Sequence, residues 1–451
     1  MNFLGLDIGS SSIKGAVLNL DTMSVGATVR RGCPERLPGP ALHFEIDAAA
    51  MVAAVASVID ELVEKVEDIE GIVSCSQMAG IVLVDAAGNA QSNYLSWRDQ
   101  RSLEPHPAGA GSYYDVLREH ITAEGMVQLG HECKVGSALS LLFWLFENGQ
   151  LPLDTTPLIV ADYVWRVLCD AEPVTEYTNA LGTIDLNTRK WHAQALKRLR
   201  LDGVEWPRLC EPYEVVGEFK TSRGVVPCYP SVGDHQCALA GTLLQKNELS
   251  INVSTGSQIS LLASSYQPGN YQVRPYFDGQ YLNTVTHLPA GRSLNVLVDF
   301  LTEIARSQNI DLADPWPYIN QAVKAAAREL EVDLAFFAGP VGNRGALRNI
   351  TVENLNVGNL FRAAYQNMAD NYDRCSRRLS ADKKWDRVVI SGGLVQNSDV
   401  LRELVLERFR CPYRVYASTE ETFQGLLALA LVASDRAENL AAATDGMIAS
   451  P

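Results

Sequence analysis

The chain has 451 residues, 47% hydrophobic and 20% charged, with 38 lysines and arginines against 53 aspartates and glutamates and a formal net charge of −15. That is about three times a usual domain, which predicts two or three domains with large cores and excludes a disulfide-stapled miniprotein or a disordered tail. The acidic balance repels a polyphosphate backbone everywhere but at a local basic patch, so nucleic acid is not an expected partner.

The opening residues Phe3-Leu4-Gly5-Leu6 read as a strand, Asp7-Ile8-Gly9-Ser10-Ser11-Ser12 as a turn, and residues 13–18 as a second strand, a hairpin with Gly and Ser at its tip. From Asp47, a residue suited to an N-cap, Met51, Val52, Val55, Val58, Ile59, Leu62, Val63 and Val66 recur at helical spacing. Apolar runs at 72–75 and 81–84 flank Ser76-Gln77-Met78-Ala79-Gly80, which places those five residues on a connection between strands. Residues 140–146 and 158–168 read as helical or deeply buried.

Near residue 250 the opening pattern returns: strand 249–253, turn Ser254-Thr255-Gly256-Ser257, strand 259–262. A helical stretch at 360–379, a strand at 387–390, the turn Ser391-Gly392-Gly393, and helices at 398–409 and 423–433 follow. Strands followed by helices in both halves predict two α/β domains of similar plan, divided near residue 240 without a low-complexity linker.

Nine cysteines lie far apart with no C-x-x-C pair, the pattern of reduced, buried thiols. The N-terminus has no basic segment ahead of an apolar one, and no apolar run approaches the roughly 20 residues needed to cross a bilayer. A cytoplasmic location and no membrane partner are expected. His43, His106, His120, His131, His192 and His287 show no metal-ligand spacing and read as structural or solvent-exposed.

Turns of Gly, Ser and Thr between buried strands can aim backbone N–H groups and hydroxyls at an anion, which holds phosphate without a large net charge. One such turn alone reads as an ordinary tight hairpin; one opening each half is a stronger signal for a nucleotide. Neither a Walker loop nor a G-x-G-x-x-G fingerprint is present. Asp7, at the end of a buried strand, needs a cation or donors, and a hydrated Mg²⁺ bridging to phosphate would serve. Asp234 is placed in a Gly-Asp turn, where an aspartate can also be a simple turn former.

Taken together these segments resemble the FGGY family of carbohydrate kinases. Gly5-Leu6-Asp7-Ile8-Gly9-Ser10-Ser11-Ser12-Ile13-Lys14 is similar to the family's first phosphate motif and Ser254-Thr255-Gly256-Ser257 to the second. Ser76-Gln77-Met78-Ala79-Gly80 with Trp97-Arg98-Asp99-Gln100-Arg101 resembles its sugar-binding segment, with Ala79 where family members carry a histidine. Thr178-Asn179-Ala180 through Lys190-Trp191, Gly233-Asp234, and Ser391-Gly392-Gly393 with Asn397 complete six motifs in the expected order. Within the family the likeness is greatest to the sedoheptulokinases, through Gly233-Asp234-His235-Gln236-Cys237, Asn252-Val253-Ser254-Thr255 and Gly339-Pro340-Val341-Gly342-Asn343-Arg344-Gly345.

The resemblance implies an α/β fold of two duplicated ribonuclease-H-like domains of the actin, hexokinase and Hsp70 ATPase group, 1–240 and 241–451, around an interdomain cleft. It implies transfer of the γ-phosphoryl group of ATP to a primary hydroxyl of a ketose, sedoheptulose first, with xylulose, ribulose, erythrulose or a glycerol-like polyol as alternatives. Asp234 would be the catalytic base, with His235 a sugar contact and the rival base, and Asp7 with Asp234 would hold Mg²⁺. Gln77, Met78, Ala79, Trp97, Arg98, Asp99, Asp234 and His235 would line the sugar site. Gly9, Ser11, Ser12, Lys14, Thr255 and Gly256 would meet the phosphates, and Gly392, Gly393 and Asn397 the adenosine. Lys14 reads equally as a solvated strand lysine, Trp97 as a core residue, and the two glycines as a strand-to-helix turn. The partners are then a sugar and a nucleotide, and a homodimer is compatible with the chain. An actin-like or Hsp70-like conformational ATPase would share the phosphate turns and the acidic pair but would not need the sugar segment.

Overall fold

A computed structural model describes residues 1–449 apart from 110, 153, 223, 327–329 and 417–419. Strands β1 (Asn2–Ile8) and β2 (Ser12–Asn19) pair antiparallel, and β3 (Ser24–Gly32) adds to β2. Helix α1 (Ala48–Lys65) starts at Asp47, whose carboxylate accepts the Ala49 amide N–H at 2.8 Å. Its Met51, Val55, Val58, Ile59 and Leu62 are buried in one cluster with Leu4, Leu6 and Ile8, each contributing about 1.5–3 kcal/mol.

The chain returns as β4 (Ile69–Ser76), parallel to β1. Residues 140–146 lie in helix α2 (Ala138–Glu147), and most of 158–168 lies in helix α3 (Val160–Cys169). β5 (Gly217–Thr221) and β6 (Gly224–Gly233) close this half, β6 running parallel to β4, so the sheet order is β5-β6-β4-β1-β2-β3. Asp234 is not in a turn, as expected, but opens helix α4 (Asp234–Gly241), because the chain passes from extended Gly233 straight into helix.

The second half repeats the plan with β7 (Glu248–Asn252), β8 (Ser257–Ala263), β9 (Gln272–Pro275), β10 (Tyr281–Leu288), helices α5 (Gly291–Ser307) and α6 (Val357–Leu379), and β11 (Arg387–Ser391). Helices α7 (Gly393–Asn397) and α8 (Asp399–Phe409), strand β12 (Tyr413–Val415) and helix α9 (Glu421–Ala433) follow. The order is β9-β10-β8-β7-β11-β12. In each sheet a central strand, β1 or β7, has an antiparallel hairpin partner on one side and parallel strands on the other.

Helix α9 belongs to the second half yet packs on β1, β2 and β4 and, most closely, on α4. A Cβ on Gly425 would stand 2.0 Å from the Cys237 carbonyl oxygen, and one on Gly241 1.7 Å from that of Glu421, so glycine alone permits this crossing. Phe3, Val73, Val232, Cys237, Val389, Leu426 and Leu429 form one buried cluster across both halves. All nine cysteines are free thiols, and among the described residues no helix is long and apolar enough to cross a membrane.

Candidate active site

Three parallel strands, β1, β4 and β6, end along one edge of the first sheet. Asp7 pairs in register with Cys75, and Cys75 with Val232, so Asp7 and the residues preceding Asp234 stand two strand spacings, about 10 Å, apart. Ligands of such sheets bind outside the carboxyl ends of the strands. A cleft of about 720 Å³ opens at this edge, lined by Ser10, Gln77, Met78, Ala79, Trp97 and Arg98, and by Asp234.

Burial, and then the negative charge of Asp7, push the Asp234 carboxyl up to about 7. Its Oδ1 accepts the His235 amide N–H at 2.7 Å. Burial also raises Asp7, against the opposing pull of Lys14, whose Nζ lies 3.7 Å from Asp7 Oδ2. Thr178 braces the Val232-Gly233 peptide, one residue before Asp234. Its hydroxyl accepts the Gly233 N–H at 2.7 Å and donates to Glu176, a carboxyl that burial lifts to about 8.

The sugar segment follows directly from β4. Gln77 donates its amide N–H to the Ile8 carbonyl at 3.1 Å and Nε2 to that of Gly9 at 3.5 Å, while its Oε1 is buried without a partner. Ala79 and Gly80 both have left-handed φ, 60° and 69°. A Cβ on Gly80 would stand 2.7 Å from the Leu95 carbonyl oxygen and 2.8 Å from the Trp97 nitrogen. That close approach fixes Trp97 beside Ala79, and Trp97 is 42% exposed, a cleft residue and not a core one.

The model of the FGGY family of carbohydrate kinases, N-terminal domain, matches residues 2–241. The chain belongs to the FGGY family. It is 26% identical over 226 residues to a xylulose kinase of Bacillus subtilis (strain 168), covering 48% of this chain and 42% of that one, and 24% identical over 327 residues to one of Staphylococcus xylosus, covering 66% and 64%. These matches thus span under half and just under two thirds of those relatives. A ligand-bound xylulose kinase structure from Lactobacillus acidophilus superposes with a TM-score of 0.84 at 17% identity, over 98% of this chain and 91% of that one, a likeness of fold. The fold is the two-domain, actin- and hexokinase-like α/β fold of FGGY kinases. The expected likeness to sedoheptulokinases finds no counterpart in these names.

Of the expected sugar set, His235 does not line the cleft, and neither does Asp99. Asp99 is fully buried, with Oδ1 and Oδ2 each 2.9 Å from Arg101 guanidinium nitrogens and Oδ2 accepting the Phe44 N–H at 2.6 Å. It anchors the loop that carries Trp97 and Arg98. His235 is also buried, its Nδ1 2.8 Å from Arg274 Nη1. Around the first turn, the Gly9 N–H donates to the Ser12 carbonyl at 3.2 Å, Ser11 is exposed at the tip, and Ser12 is buried at the start of β2.

In the second half Thr255 and Gly256 are exposed at the tip of the β7–β8 turn, where Ser254 Oγ donates to the Gly256 carbonyl at 3.2 Å. Asn252 Nδ2 donates to Ser391 Oγ at 2.9 Å, which ties that turn to Gly392 and Gly393 at the end of the neighbouring parallel strand. Gly392 has φ 97°, and a Cβ there would sit 2.4 Å from the Val253 carbonyl oxygen. Asn397, at the far end of α7, is exposed. The start of α9 bridges to the first half, since Glu420 lends negative charge to Asp7 and Glu421 hydrogen-bonds Ser391.

Sequence motifs missed five charged or titratable groups lining the cleft: Arg36, Glu132, Lys134, Arg274 and His287. Glu132 is buried with Arg274 Nε 2.6 Å away and Lys134 Nζ 2.9 Å away. Burial pushes its carboxyl up, but the two cations outweigh it and hold it below its ordinary range. His287, expected to be structural or solvent-exposed, is a cleft residue with φ 62°. One signal was available: Arg274 stands in Gln272-Val273-Arg274-Pro275-Tyr276-Phe277, where a buried arginine requires a carboxylate.

Proposed function

We propose that the chain is an ATP-dependent carbohydrate kinase that transfers the γ-phosphoryl group to a primary hydroxyl of an open-chain ketose. The observation that carries this reading is the placement of Asp234, a half-buried carboxyl at the start of α4 that lines a cleft walled by Gln77, Met78, Ala79, Trp97 and Arg98, with its titration raised to about 7 by burial and by Asp7. A carboxylate in that place accepts the hydroxyl proton and orients the oxygen, and the loose transition state of phosphoryl transfer asks little more of its basicity. Gln77 Oε1, buried without a partner, supplies an acceptor for a sugar hydroxyl. His235, neutral through burial and the adjacent Arg274, is the weaker candidate for base.

Asp7 and Asp234 raise each other's affinity for positive charge, and this fits a hydrated Mg²⁺ held by Asp7 through water. When bound, it would neutralise charge on the nucleotide phosphates. Gly9, Ser11, Ser12 and Lys14 from one half, and Thr255 and Gly256 from the other, meet the phosphates in this reading, with Gly392, Gly393 and Asn397 toward the adenosine. The halves divide near residue 240 and close on substrate to exclude water. The free thiols favour a reducing, cytoplasmic setting.

The names of the relatives favour xylulose over sedoheptulose as the acceptor. Coupled ADP release across ketoses and polyols of three to seven carbons tests the reading. Sugar-dependent release supports it, whereas release at the same rate with no sugar would overturn it in favour of a conformational ATPase.

A further inference from the structure

Strand β10 brings His287 to the cleft and ends at Leu288, which pairs in register with Ser257, the last residue of the Ser254–Ser257 turn. Three residues later helix α5 begins against the same turn. The Gly291 N–H donates to the Ser254 carbonyl at 3.1 Å and the Arg292 N–H to the Thr255 carbonyl at 2.9 Å. A Cβ on Gly291 would stand 3.3 Å from Thr255 Cα, so the helix start lies flush on the turn. The charge of Arg292 also reaches the cleft wall. Burial first, and then Lys134, Arg274 and Arg292, hold the His287 imidazole below its ordinary range against the pull of Glu132.

The Arg292 side chain is exposed, with its guanidinium over the Phe337 ring, 3.7 Å from the centroid. Among the described residues it makes no ion pair and no side-chain hydrogen bond. An aromatic face supports a guanidinium while leaving its in-plane N–H donors free. Phe337 is tied to the cleft strand in turn, since two residues on a Cβ at Gly339 would stand 3.1 Å from the His287 carbonyl oxygen. Neighbouring cations are engaged: Lys14 lies 3.7 Å from Asp7, and Arg274 and Lys134 lie 2.6 and 2.9 Å from Glu132. A cation in the first turn of a helix opposes the helix dipole, and an anion bound beside it reverses that repulsion.

We propose that Arg292 is a catalytic residue of the phosphoryl transfer, its guanidinium donating to oxygens of the γ-phosphoryl group as that group passes from nucleotide to sugar. This role rests on the kinase reading above and adds a residue to it. In the step, the bond between the γ-phosphorus and the β–γ bridging oxygen breaks and its electron pair stays on that oxygen. The sugar hydroxyl oxygen bonds to the phosphorus, and the hydroxyl proton goes to Asp234. The three equatorial oxygens carry negative charge throughout, and a planar fork of N–H donors can meet two of them at once.

The test compares wild type with Arg292→Met and Arg292→Lys in the full chain. It reads ADP release across ketoses and polyols, melting temperature, and calorimetric binding of ADP and of the β,γ-imido analogue of ATP. Arg292→Met should lower kcat about hundredfold with sugar KM and melting temperature little changed, and Arg292→Lys should regain about tenfold of that. Arg292→Met should also weaken the analogue about tenfold while leaving ADP within about twofold, because only the analogue carries the group that Arg292 meets. A kcat within about twofold of wild type in Arg292→Met, or equal weakening of analogue and ADP, overturns the assignment and leaves the kinase reading standing. A wild-type protein that releases no ADP in response to any sugar overturns both.

Discussion

Arg274 Nη1 lies 2.8 Å from His235 Nδ1, and because a guanidinium has donors and no acceptor, the ring nitrogen facing it must be unprotonated. His235 is therefore the neutral tautomer with its proton on Nε2, consistent with a titration pushed well down by burial and by Arg274 itself. Arg274 reaches this position from the second half of the chain, while its Nε binds Glu132 from the first. One guanidinium thus orients the neighbour of the proposed base and joins the two halves beside it.

Breaking that arrangement leaves a buried carboxylate with Lys134 as its remaining ion-pair partner. Arg274→Met is expected to lose about 3 kcal/mol of stability in urea unfolding, the usual cost of orphaning one member of a buried pair. The double change Arg274→Met with Glu132→Leu should recover most of it, since removing both charges removes the orphan. Equal destabilisation of the single and double variants would mean that the pair contributes through shape alone.

Asp234 gives a pH dependence with a definite sign. Titrating near 7, it is protonated and unable to accept the acceptor's proton on the acid side, so kcat/KM should fall about tenfold per unit below that value and level off above it. The same shift acts oppositely on stability. A carboxyl whose folded titration is raised stabilises the fold fully below its unfolded value near 4, and that contribution is lost as pH rises through about 7. Asp234→Asn should therefore cost about 10³-fold or more in turnover yet melt at a higher temperature than wild type at pH 8. An acid limb that survives in the variant, or a melting point that falls, would assign the titration to another group.

Both strand-turn-strand repeats could be read from the chain because alternating apolar residues and Gly/Ser/Thr tips are local signals. Asp7, Gln77 and Asp234 were legible for the same reason, each ending a buried run. Arg274, Glu132, Lys134 and His287 were not, because what brings them together is the docking of residues 130–134 onto β9, which no spacing along the chain encodes. Asp99 shows the converse: a motif position read as a sugar ligand is consumed by Arg101 two residues on, a contact that depends on how the loop folds.

Thr178 offers a test of positioning apart from charge. Its hydroxyl accepts the Gly233 N–H and donates to Glu176, so Thr178→Val strands a buried amide one residue before the proposed base. A fall in kcat of about tenfold with KM little changed is expected, and Thr178→Ser should restore most of it, because serine keeps both bonds. Loss in both variants alike would tie the effect to the methyl group's packing and not to the hydrogen bonds.

The crossing of α4 and α9 sets the last prediction. The two helices meet at Gly241 and Gly425 so closely that either Cβ would overlap a backbone carbonyl of the other helix, and backbone cannot step aside as a flexible side chain can. Because α4 begins with Asp234 and α9 begins beside Asp7, forcing the helices apart moves one carboxylate relative to the other. Gly425→Ala is expected to destabilise the protein by about 3 kcal/mol or more, an overpacking cost at the upper end of the usual range. The folded fraction that remains should show a larger loss in kcat than in nucleotide affinity. Ala428→Gly, on the same helix and also buried, serves as the control: it should cost about 1–2 kcal/mol through helix propensity and a lost methyl contact, with turnover of the folded fraction intact. If Gly425→Ala proved no more harmful than this control, the close crossing would not be what holds the two carboxylates in register.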